Sequence, residues 1–144
     1  MFAVFGNEFG EYEDIKELRK KAIRYYKTHL QGTNVWNQAL ATMDADGNGK
    51  VEFTSEGRDK VKSNSAKEDT LLLIKYLPVL IAGAKHIESK EAMSERHKKL
   101  GDSFYYLYTE YEMRGTTLPV EITLKKLHTG NIHYYNHTIG SETK

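Results

Sequence analysis

Six histidines are the residues of this chain best suited to proton transfer near neutral pH, and His128, His133 and His137 cluster toward the C-terminus. Side chains alternate along a strand, so His133, Tyr135 and His137 are expected to share one face, with Glu121, Thr123 and Lys125 as the polar face of the strand before it. Such groups suit metal-free RNA cleavage. In that reaction a base takes the ribose 2′-OH proton, an acid protonates the departing 5′-oxygen, and a cation or donor steadies the charged phosphorane. His133 and His137 lie about 13 Å apart at ~3.3 Å per residue, too far to act on one phosphate as a direct pair. A partner is needed, and His97 in Arg96-His97-Lys98-Lys99 is the best placed, because its neighbours would attract phosphate. The plain alternative is that these histidines occupy a solvated sheet face and a loop.

Asp44-x-Asp46-x-Asn48-Gly49 reproduces the start of an EF-hand calcium loop. The bidentate Glu that should close such a loop is replaced by Ser55, with Glu52 and Glu56 to either side, and Val51-Glu52-Phe53 reads as a strand where a helix should leave. Asp, Asn and Gly also suit a hairpin turn, since they tolerate positive φ. Calcium at Asp44, Asp46 and Asn48 therefore stands as the weaker alternative. Zinc from His97, His133 and His137 lacks the short His-x-x-x-His helix that such sites use. The chain has no cysteine, which excludes thiol catalysis and thiolate metal sites.

The elements that must position these groups follow from pattern. With 144 residues, a 28% charged and 39% hydrophobic composition and a net charge of +1, the sequence describes one soluble α+β domain over residues 1–144, with no run of about 18 apolar residues. Phe2 to Phe5 is too short for a signal-peptide core, so no export signal is expected. Asp14 to Glu17 forms a capping box ahead of an apolar stripe from Ile15 to Leu30, predicting a helix over roughly 14–31. A β-hairpin follows, turning at Asp44 to Lys50. Ser65 to Glu68 repeats the capping box before Leu71 to Leu77, a core helix that Pro78 should kink or split. Residues 85–101 read as a mobile loop or weak helix. Phe104 to Met113, Leu118 to Lys125 and Ile132 to Ile139 predict an antiparallel β-meander over about 101–140. Six of the 10 tyrosines lie there, as strand packing or as stacking surface for bases. Arg19-Lys20-Lys21 and Arg96 to Lys99 are basic, a pattern more often found on solvated faces than in nucleic-acid grooves.

Ala22…Tyr25-Tyr26…Leu30-Gln31-Gly32-Thr33-Asn34-Val35…Asn37, Val51-Glu52-Phe53…Gly57, Leu77-Pro78…Leu80-Ile81 and Gly115…Val120-Glu121-Ile122…Gly130-Asn131-Ile132…Tyr135-Asn136-His137 resemble the large polyvalent protein-associated domains of phages and conjugative elements. These domains are similar to ribonuclease domains of the barnase/EndoU/colicin/RelE group. The resemblance implies helices before a curved antiparallel sheet and a cofactor-free endoribonuclease toxin that cuts cytoplasmic RNA, commonly tRNA. It places His97 before the first sheet strand and His137 with Thr138 on the last, as catalytic groups. Lys98 or Lys125 would stabilise charge, and Tyr105 or Tyr135 would stack a base beside His133. A cognate immunity protein, and a host protein that carries tRNA, are the expected partners in the target-cell cytoplasm. The rival reading is a non-catalytic accessory or immunity domain whose Tyr-rich meander binds protein.

Overall fold

The structure, a computed structural model, describes residues 3–64, 67–91 and 101–139. Helix α1 (Ile15–Tyr25) starts where the Asp14 carboxylate accepts the Glu17 amide at 2.9 Å. Leu18, Ala22 and Tyr26 recur at helical spacing and are buried. The helix widens into a π-helical turn, Tyr26–Leu30, in which the Gln31 amide reaches the Tyr26 carbonyl at 2.7 Å, and Gly32 stops it at φ +88°. The helix expected over 14–31 is present.

The expected hairpin differs in its connection. Strands β2 (Asn34–Trp36) and β3 (Lys50–Glu52) pair antiparallel, but a short helix, α2 (Gln38–Met43), stands between them. Asn37 causes this: its Oδ1 accepts the Leu40 amide at 2.7 Å, and its Nδ2 donates to the Ile81 and Ala84 carbonyls. Helix α3 (Ser55–Asn64) was not expected, because only Gly57 and Val61 among its described side chains face the core. Helix α4 (Glu68–Leu72) begins at Lys67, which lends no side-chain cap; Ser65, expected to cap it, lies outside the described residues. A 3₁₀ turn (Leu73–Tyr76) then leads to α5 (Leu77–Gly83), with Pro78 in its first turn, where a missing N–H costs nothing.

Residues 86–91, expected as loop or weak helix, form strand β4 (His86–Glu91). It pairs with β5 (Ser103–Met113), which continues through the meander into β6 (Thr116–Lys126) and β7 (Ile132–Ile139). The β5–β6 turn places Arg114 at φ 52° and Gly115 at φ 77°, the mirror-image turn that matches strand twist. The meander is the centre of a mixed sheet ordered β1-β5-β6-β7-β3-β2, where β1 is Ala3–Val4 and β4 also pairs with β5. β1 runs parallel to β5, and β3 parallel to β7. Leu107, Ile122, Leu124 and Tyr134 on one sheet face share a core with Leu18, Leu72, Ile74 and Ile81 from the helices. The alternate residues form a second face.

Candidate functional site

Strand register assembles polar and aromatic side chains in rows across this second face. His86, Tyr108, Glu121 and Thr138 are consecutive partners across β4, β5, β6 and β7, and Glu88, Tyr106, Thr123 and Asn136 form the next row. His86 Nε2 lies 3.2 Å from Glu88 Oε2, and its ring stands edge-on to Tyr108 at 5.2 Å. Burial, then the Glu121 and Glu88 carboxylates, push the Tyr108 hydroxyl up, so it stays a proton donor; burial and Glu121 do the same to Tyr106. An open cleft of about 440 Å³ adjoins the first row, lined by Gly83, Lys85, His86, Tyr108, Thr109 and Glu110.

The third part of this face is held together by charge and rings. Lys125, partner of both Phe104 and His133, pairs bidentately with Glu56 of α3, at 2.6 and 2.7 Å. Its ammonium also lies 5.5 Å from the Tyr135 ring, Lys60 lies 4.7 Å from that ring, and Phe104 packs edge-on to it at 5.4 Å. Lys125 is therefore buried and committed to a carboxylate, not displayed to solvent.

The alternation expected in β7 fails at a bulge. Tyr134 pairs with Leu124 and Asn136 with Thr123, so Tyr135 is an extra residue between them. The bulge turns His137 to the core, beside Tyr134. There His137 is 1% exposed, its Nε2 2.7 Å from the Thr70 carbonyl and its Nδ1 2.6 Å from the Tyr134 hydroxyl. A carbonyl only accepts, so Nε2 carries the proton and Nδ1 accepts from Tyr134. Burial holds the imidazole down at about 4, against a small opposing effect of the Thr70 carbonyl. Both ring nitrogens are used, which removes His137 from the acid/base pair expected for it. Thr138 does reach the second face, exposed beside Glu121. His133 is there too, half-buried.

Tyr105, expected to stack a base, points into the core face and donates to Asp44 at 2.6 Å; its neighbour Tyr106 takes the second face instead. His97 and Lys98 lie outside the described residues. The calcium alternative meets a loop whose oxygens are already engaged. Asp44 Oδ1 accepts from Tyr105 and from Lys126 Nζ at 2.7 Å, and its Oδ2 accepts the Asp46 and Asn48 amides. Asp46 takes the same ammonium at 3.0 Å, and Asn48 spends its amide on the Gly130 carbonyl. Lys126 thus supplies the positive charge that a bound cation would. Burial pushes the Asp44 carboxyl up, but Lys126, Tyr105 and the two amides outweigh it and hold it below the usual range. Among the described residues no His/Asp/Glu cluster has metal-binding geometry.

Residues 13–134, from the α1 cap to the core tyrosine of β7, match the family described as large polyvalent protein-associated domain 3. The chain belongs to this family. The matched span includes His86, Glu88, Tyr106, Tyr108 and Glu121 and ends before His137 and Thr138. No curated protein and no solved structure matches the chain. In this large polyvalent protein-associated domain, His86 falls within residues 85–101, which read from sequence as a loop or weak helix. Glu88 is hidden in the sequence because β4 carries too few apolar residues to announce a strand, whereas Tyr108 lies on a strand that the pattern does predict and only the register shows its neighbours. No helix among the described residues is long and apolar enough to cross a membrane.

Proposed function

We propose that this domain cleaves RNA without a metal, on the second face of its sheet, with Glu121 and His86 as base and acid. The observation that carries this reading is the row His86-Tyr108-Glu121-Thr138, backed by Glu88 on the imidazole and bordered by a cleft. β4 and β6 flank β5, so the His86 and Glu121 backbones lie about 10 Å apart on either side of Tyr108, with both side chains on one sheet face. Glu121 would take the 2′-OH proton as the 2′-oxygen forms its bond to phosphorus. Protonated His86, oriented by Glu88, would protonate the 5′-oxygen as the P–O5′ bond breaks, leaving a 2′,3′-cyclic phosphate and a 5′-hydroxyl. Lys85 at the cleft would steady charge on the phosphorane, Thr138 would hold a phosphate oxygen, and Tyr106 or Tyr108 would stack a base.

Membership of a polyvalent-protein family supports a role in bacterial or phage conflict. On this reading the domain acts in the cytoplasm of a target cell, favours tRNA, and is restrained in its producer by an immunity protein. His97 and Lys98 stay in the proposal as an alternative acid and cation.

Incubation of the purified domain with tRNA and with total RNA in a chelator tests this reading. Fragments ending in 2′,3′-cyclic phosphate are expected, and Glu121→Gln or His86→Ala should lose roughly 10²-fold or more of the rate. A His97→Ala variant run alongside decides which histidine is the acid. Full activity in folded Glu121→Gln, or intact RNA with folded wild type, would overturn the proposal.

A further inference from the structure

The charge of this chain is unevenly distributed. Residues 15–30 carry Lys16, Arg19, Lys20, Lys21, Arg24 and Lys27 against Glu17 alone, a net +5 in a chain whose sum is +1. The remainder is therefore at −4. Helix α1 with its π-helical turn is therefore an element that attracts an approaching polyanion.

That element also carries a cavity of about 320 Å³, lined by Phe9, Lys21, Arg24, Tyr25, Thr28 and His29. Its aromatic wall is continuous: Phe9 packs edge-on to Tyr25 at 5.5 Å, and His29 lies over Tyr25 at 4.6 Å with a 37° tilt. Its cations differ in freedom. Lys21 is anchored by the Glu11 carbonyl and lies 3.7 Å from Glu17, whereas Arg24 is exposed and has no ion-pair partner among the described residues. The Thr28 hydroxyl donates to the Arg24 carbonyl at 2.8 Å, with its lone pairs and the His29 ring edge left at the rim. The carbonyl end of a helix disfavours anions, so these side chains and not the backbone must do the holding.

From these observations we infer that the Lys21-Arg24-Tyr25-His29 cavity is a nucleotide-binding site: Arg24 and Lys21 take a phosphate while a base packs against Tyr25 and His29. Cations beside an aromatic face are how single-stranded nucleic acid is held without sequence preference. The site uses α1 and not the sheet rows, and it does not require that the domain cut RNA.

The test is fluorescence anisotropy of the intact domain with a labelled 2′-O-methyl oligouridylate, a probe that transesterification cannot cut. Wild type should bind at 50 mM salt, an illustrative low-salt condition of roughly the kind in which phosphate contacts are strong. Lys21→Ala/Arg24→Ala should weaken binding roughly tenfold, and the slope of log affinity against log salt should fall by about 0.7 per cation removed. Arg24→Gln and His29→Ala, both at exposed positions, should each weaken it with an unchanged melting temperature. Competition by 5′-AMP separates the two sources of the chemistry: displacement supports a mononucleotide site, and retention of the oligonucleotide supports a strand site. The probe cannot be cut, so failure of cleavage and failure of this site are read separately. No binding by folded wild type, or equal affinity in the Lys21→Ala/Arg24→Ala variant, would overturn the inference.

Discussion

His137 and Lys126 show how much of a polar side chain's role is decided by what surrounds it. The His137 imidazole is neutral in the folded protein and held at about 4, while in the unfolded chain it takes a proton near 6.5. Below about pH 6.5 the unfolded state therefore binds a proton that the folded state refuses, and stability falls until the folded group titrates near 4. Over that window the loss amounts to about 3 kcal/mol. Urea midpoints measured from pH 7.5 to 4 should fall steeply for wild type and less for His137→Gln; equal slopes would mean that another group dominates. Lys126 sits between Asp44 and Asp46, and Asp44 has no exposed side-chain surface. Lys126→Met should cost about 3 kcal/mol, because it leaves a buried carboxylate short of its countercharge. The same ammonium explains why wild type should show no rise in melting temperature in millimolar calcium. A rise that disappears in Asp44→Ala would restore the cation-loop reading.

The elements most easily read from sequence are those whose apolar spacing is dense. α1, the Pro78 break and all three meander strands were legible because caps, breakers and alternating Leu118, Val120, Ile122 and Leu124 agree with one another. α3 was illegible because it buries little beyond Gly57 and Val61, and β4 because an edge strand needs few apolar residues. Gly57 makes the point in a testable way. Helix propensity alone favours Ala over Gly by about 1 kcal/mol. Yet a Cβ here would lie 2.5 Å from the Tyr26 hydroxyl and 2.6 Å from Tyr134. Gly57→Ala should therefore destabilise by about 2 kcal/mol or more, by overpacking α3 against β7. A higher melting temperature in this variant would show that α3 can move away from the sheet at little cost.

At the scale of the whole molecule, the sheet joins the ends of the chain. β1 closes on β5 and β3 on β7 by parallel pairings that no local turn could create, and one apolar cluster runs from Val4 through the helices to Tyr134. Helices and sheet should consequently unfold together. Far-UV circular dichroism, reporting backbone, and near-UV dichroism of the tyrosines, reporting packing, should give one coincident urea transition. Separate midpoints would mean that the helical half and the meander are independent units.

By itself the sequence determined the class of fold and the local grammar: the α1 cap, the Pro78 break, the strand pattern and the tyrosine-rich character of the last third. These are properties of neighbours a few residues apart, where steric and hydrogen-bonding preferences act directly. Only tertiary structure decided which polar groups meet. A single extra residue at Tyr135 reverses the facing of His137, and Lys126 closes a loop that reads as a calcium site. The row from His86 to Thr138 exists because four strands pair in one register, with chemistry placed by hydrogen bonds between residues far apart in the chain.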